Sequence, residues 1–177
     1  MEKKDFYEEG IEEAKKPYAV LENILFLVLL TLGFLGMYPI GINGIPLVSI
    51  LYALFALIML TFVLRKHLCT GCYYYDKWCH CGWGKLSSAM YKKDSGNQKW
   101  GGILAAVTWG IIMVLPIIGM ILALAFGKVR LTHALIFLIP FLILVGINGI
   151  MHKIDCERCK MRFLCPGSAA KYNGQNG

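Results

Sequence analysis

The sequence predicts an all-α integral membrane protein: a four-transmembrane-helix bundle built from two parallel-related hairpin repeats, each followed by a cytoplasmic cysteine knuckle. Three observations predict it. Apolar residues fill 57% of the 177 positions, against roughly 45 to 50% in soluble domains. Basic residues avoid four stretches, each near the roughly 20 apolar residues that a helix needs to cross a bilayer core. All seven cysteines fall in two short clusters, HLCTGCYYYDKWCHC at 67–81 and DCERCKMRFLCPG at 155–167, each directly after an apolar run.

Residues 1–17 form the N-terminal segment. MEKKDFYEEGIEEAKK mixes acids and bases and lacks the cleavage site of a signal peptide. Tyr7, Ile11, Ala14 and Tyr18 recur at helical spacing, which predicts a short amphipathic helix closed by Pro17. The first hairpin covers 18–64, with spans at about Tyr18 to Tyr38 and Ile45 to Leu64. The cysteine-rich loop follows at 65–101. The second hairpin covers 102–151, with spans at about Ile103 to Phe126 and Leu131 to Met151. Pro116 and Pro140 lie inside those two spans and predict kinks rather than breaks. Within the loop, GKLSSAMYKK predicts a short interfacial helix and DSGNQ a polar turn. Residues 152–177 form the cysteine-rich tail, whose NGQNG end is expected to be disordered.

Charge sets the expected orientation. Of eighteen lysines and arginines, only Lys128 and Arg130 fall outside the N-terminal segment, the central loop and the tail. By the positive-inside rule, both termini and the loop are cytoplasmic and the protein belongs to a cell membrane. Every cysteine then faces a reducing compartment, where structural disulfides are rare. Topology and anionic lipid account for the net charge of +7, so the bilayer is a partner and nucleic acid is not. A protein partner or a second copy of the chain is also expected.

The halves match. Cys69-x-x-Cys72 is repeated as Cys156-x-x-Cys159 after 87 residues, and each pair gains a third cysteine, Cys79 or Cys165. Two spans return a chain to its starting side, so repeats of this kind are parallel and their clusters can meet beneath the bundle. The two GINGI pentapeptides break the 87-residue offset and do not belong to the repeat.

C-x-x-C is a small chelate, and tetrahedral zinc and iron-sulfur clusters both take four such ligands. Three partitions fit. Cys69, Cys72, Cys79 and Cys81 can form one site and Cys156, Cys159 and Cys165 a three-thiolate site. Alternatively, both C-x-x-C pairs close one shared tetrathiolate, or each repeat uses three cysteines with Cys81 left over. Thiol-disulfide exchange lacks the βαβ context that usually accompanies it, and inert cysteines would not cluster this way. The run Cys156-x-x-Cys159-x5-Cys165-Pro166 resembles the three-cysteine segments of several iron-sulfur proteins. By analogy the whole is similar to membrane-anchored ferredoxin-like subunits, without their full four-cysteine runs.

These readings make the chain a metal-binding protein. The leading expectation is an iron-sulfur subunit moving electrons between a cytoplasmic donor and a membrane quinone or partner complex. A zinc-stapled scaffold and a soft-metal handling protein are the alternatives. His67, His80 and His152 lie beside the cysteines as further candidate ligands, whereas His133 stands alone in a span and argues against a b-type haem. Glu22, near the inner end of the first span, is the one acid within the spans, and so few intramembrane charges argue against ion-coupled transport. The aromatics from Tyr73 to Trp100 read as a headgroup belt or as a shell around a cluster. No nucleophile-base constellation is present, so a self-contained enzyme is not expected.

Overall fold

The computed structural model describes residues 6–41 and 43–170. The NGQNG tail, for which disorder is expected, lies outside the described residues. The described chain is helical, with four helices long and apolar enough to cross a membrane and no strands. Helix α1 runs Lys16–Met37, opening on Pro17, whose fixed φ and missing N–H suit a first helical turn. Helix α2 runs Leu47–Ile58 and continues through two π-helical turns, Met59–Val63 and Arg65–Cys69. Helix α3 is the short Trp83–Met90, α4 runs Gln98–Ala125 and α5 runs Leu131–Glu157. Pro116 and Pro140 sit inside α4 and α5 without ending either helix.

The helices overrun the expected spans at their loop and tail ends, because the backbone ladder continues through polar residues once it is started. Consequently Cys69 lies in the last turn of the α2 extension and Cys156 in the last turn of α5. The widened π turns offer carbonyls to side chains instead: Thr70 donates to Lys66 O (2.6 Å) and Ser87 to Arg65 O (3.2 Å). Asn97 caps α4, its side-chain oxygen accepting from Lys99 N (3.0 Å) and Trp100 N (3.3 Å).

Helix α1 is the hub, packing against α2, α4 and α5, while α5 leans chiefly on α1. Leu29, Met37, Tyr52, Ala56, Ile112, Met120 and Phe141 fill the core between them. Outward-facing Val20, Ile24, Leu27, Leu54, Ile118 and Ile143 are exposed, as helices in contact with a lipid bilayer require. In α5 only 11% of the most apolar window is buried, against 22 to 33% in the others, so its outer side is the least covered of the four.

One expectation is corrected. Residues 6–15 are not helical but form an extended strap across the end of the bundle that carries the cysteines. Tyr7 N donates to Lys160 O (3.0 Å), Ile11 N to Arg158 O (2.9 Å) and Ala14 N to Trp78 O (2.7 Å). These three donors are spent on distant carbonyls and Gly10 N closes a local turn on Tyr7 O (3.1 Å), so the segment does not build an i to i−4 ladder. Gly10 makes the approach possible, since a Cβ there would lie 2.7 Å from Lys160 N. Tyr7 and Phe6 pack edge-on against Phe163 (5.7 Å) and Tyr73 (5.1 Å), so the helical spacing of apolar residues serves a different contact.

Candidate metal centre

Both cysteine segments are built from the same succession of backbone turns. In the first, Cys72 N donates to Cys69 O (3.3 Å), Tyr75 N to Cys72 O (3.1 Å) and Lys77 N to Tyr74 O (2.9 Å). In the second, Cys159 N donates to Cys156 O (3.3 Å), Arg162 N to Cys159 O (3.0 Å) and Leu164 N to Met161 O (3.0 Å). Each pair is 87 positions apart. After the third cysteine, Gly82 N donates to Cys79 O (2.9 Å) and Ser168 N to Cys165 O (3.2 Å), an offset of 86 that absorbs the shorter spacer. Tyr74 and Met161 occupy the same place in the two turns, and both are buried.

Tyr74 also clasps the segments together. Its hydroxyl donates to Ile11 O (2.6 Å) and accepts from Lys160 N (3.1 Å), so one phenol ties the first knuckle to the strap and the second knuckle. Glu12 reinforces this from the strap, pairing with Lys160 Nζ (2.8 Å) and accepting from the Tyr73 hydroxyl. Lys160, and then Tyr73, hold the Glu12 carboxyl below its ordinary range. A depressed folded value means that the tie is present above the ordinary carboxylate range and is lost as pH falls through the depressed value. Glu12→Gln should therefore raise hydrogen exchange at the Tyr7 and Ile11 amides by about twofold at neutral pH, the scale of an exposed ion pair. Wild type should lose that share of protection, taken relative to the intrinsic exchange rate at each pH, only in acid.

The seven cysteines are thiols, Cys79 and Cys156 buried and the other five half-buried. Cys79 and Cys81 bring their sulfurs to 3.4 Å. Their mutual hydrogen bond pulls the Cys79 thiol down against its own burial, aided by His80 and by the N–H groups of Gly84 and Trp83 at the start of α3. The same bond pushes Cys81 up. Burial pushes Cys72 up, with further repulsion from Cys69, Cys79 and Cys165. Burial also pushes Cys159 up, to about 11, with Cys165 and Cys156 adding to it. Cys165 therefore adds to the upward push on a thiol of each segment. Among the described residues no three of these sulfurs lie mutually within 4.8 Å, so a bound metal would draw them closer.

The histidines divide by role. His67 Nδ1 accepts from Asn97 N (3.2 Å) and closes the loop. His152 Nε2 stands 3.7 Å from Cys156 Sγ, at the edge of the second knuckle. His133 lies in the first turn of α5, at the opposite end of the bundle. His80 meets Glu22 of α1 and Asp155 of α5, with ligand atoms of all three mutually within 4.8 Å. Sequence reading passed over Asp155, and its only signal for this group was the position of Glu22 inside a span. The aromatics of this segment divide, with Trp100 exposed at its far end. Tyr74 is buried, Tyr75 donates to Tyr91 O (2.8 Å), and the Arg65 guanidinium lies 5.3 Å from the Trp83 ring.

Comparison with family models, curated proteins and solved structures finds no match to this chain.

Proposed function

We propose that this chain is a membrane-anchored electron-transfer subunit whose cysteine knuckles hold iron-sulfur clusters. The observation that carries the reading is the duplicated turn, which sets three cysteines at equivalent places in two segments and packs those segments together. Cys69, Cys72, Cys79 and Cys81 are the ligands from the first segment, and Cys156, Cys159 and Cys165 those from the second. A thiolate-held cluster supplies one-electron transfer at a potential tuned by hydrogen bonds and solvent exposure. The chain supplies backbone N–H groups near sulfur, a shell of Tyr74, Trp78 and Trp83, and a strap that covers the knuckles from outside.

In this reading the two hairpins are repeats and the knuckles are cytoplasmic, which the bias of basic residues supports. Electrons pass between a cytoplasmic donor and a membrane quinone or a partner complex. Support for an amphiphilic acceptor comes from two adjoining grooves along α1, of about 560 and 580 Å³. Both are lined by Asn23, Leu27, Arg65 and Trp83, and the first reaches Cys81. Such volumes suit a small organic ligand with a polar head near Asn23 and Arg65. The outer side of α5 offers a partner protein or a second copy the least covered surface.

Anaerobic purification in detergent, with metal and sulfide analysis of the sample used for its spectrum, tests the reading. Iron with matching sulfide and a band near roughly 400 nm that dithionite bleaches is the expected result. Colourless protein holding about one or two zinc ions would overturn it in favour of a zinc-stapled scaffold.

A further inference from the structure

We propose that Glu22, His80 and Asp155 form a second metal site, separate from the cysteines, for a divalent first-row cation bound through oxygen and nitrogen. The three come from α1, the cysteine loop and α5, yet a ligand atom of each lies within 4.8 Å of the other two. Glu22 Oε2 is shut off from solvent and has no hydrogen-bond partner among the described residues. Its neighbour in the cluster is another carboxylate, an acceptor unless protonated. Asp155 is buried at 8% exposure, and among the described residues neither acid is ion-paired to a lysine or arginine. Two carboxylates this close repel each other unless a cation or a proton lies between them.

The surroundings are those of a built site. The Tyr18 hydroxyl reaches both oxygens of Asp155 (3.0 and 3.2 Å) and fixes the plane of its carboxylate, the part that outer-shell partners play around metal ligands. His80 lies between Cys79 and Cys81, whose sulfurs are 3.4 Å apart. The His152 ring is 6.5 Å from that of His80 and is the next nitrogen donor at hand. Two carboxylates and an imidazole suit manganese, iron(II) or zinc, whereas the thiolates beside them select softer partners. Three protein ligands leave coordination positions open to water. A cation here would lock α1 and α5 to the segment that carries Cys79 and Cys81.

Manganese is the probe, because it favours these donors over thiols. Full-length protein in detergent is titrated with Mn²⁺ while the six-line electron paramagnetic resonance signal of the free ion is followed. Wild type should remove about one equivalent from solution, and Glu22→Gln and Asp155→Asn should weaken uptake by more than the roughly 10- to 100-fold that outer-shell changes cost. Glu9→Gln, which removes an exposed carboxylate outside the group, should leave uptake unchanged. Should either helix variant aggregate, His80→Gln decides, since its side chain belongs to a loop. Failure of wild type to take up Mn²⁺ would overturn the proposal and leave a proton shared between the acids. Uptake that His80→Gln does not weaken would overturn it as well. The iron and sulfide analysis is untouched by either result.

Discussion

Replacing Gly84 with alanine is expected to lower stability by about 3 kcal/mol, the upper end for overpacking, and to unseat α3 from the first knuckle. A Cβ at this position would lie 2.0 Å from Tyr74 O and 2.7 Å from Lys77 O. Both are backbone atoms of the knuckle itself and cannot rotate away. Gly84 O also accepts from Asp76 N (3.2 Å), and its N–H faces the Cys79 sulfur, so the displaced backbone takes two further contacts with it. The matched control is Gly110→Ala in α4, where an added Cβ meets nothing within 4 Å. That variant should stay within about 0.5 kcal/mol of wild type. Thermal midpoints give the stability comparison, and thiol accessibility before unfolding shows whether the Gly84 variant has opened the knuckle. Equal midpoints for the two variants would mean that α3 does not dock on Tyr74 and Lys77.

Cys165→Ser should have the second large effect, lowering metal content in both segments where a change at any other tail cysteine touches one. Its thiol is near enough to affect Cys72 in the first knuckle and Cys159 in the second. Loss of a direct ligand should weaken binding by more than the roughly 10- to 100-fold that outer-shell partners are worth. The comparison is with Cys81→Ser, whose sulfur pairs with Cys79 at 3.4 Å inside the first segment. Metal per chain, measured for both variants under anaerobic conditions, distinguishes the ligand partitions. If Cys165→Ser removes metal from the second segment alone, the knuckles are separate sites. If it empties both, they share one centre.

The four long helices were legible because their signal is local: an apolar run has the length that it has, wherever it packs. So was α3, from the spacing of Leu86, Ala89 and Met90. The strap was not legible, since Tyr7, Ile11 and Ala14 carry a helical period while their amides are claimed by carbonyls of Lys160, Arg158 and Trp78. Long-range pairing won over local pattern there, with Gly10 as its one sequence-level trace. The cysteines announced themselves by spacing, and their equivalence to within one residue was visible before any coordinates. Glu22, His80 and Asp155 had no such spacing to show, because two helices and a loop had to be placed before they became neighbours. Tyr74 illustrates the same limit. As one of three consecutive tyrosines it looks like an interfacial ring, yet its hydroxyl joins the strap to the second knuckle.

The strap also has a bearing on the order of synthesis. Glu8 O accepts from Lys160 Nζ (2.8 Å) across 152 positions, so the first described residues to be made are held by some of the last. Until residues 158–160 emerge, Tyr7 N, Ile11 N and Glu8 O lack their partners, and the strap is tied to the first knuckle alone, through Ala14 N and Trp78 O. A ribosome stalled after α4 would leave Tyr74 of the first knuckle without Lys160 N, and so without its tie to the second segment.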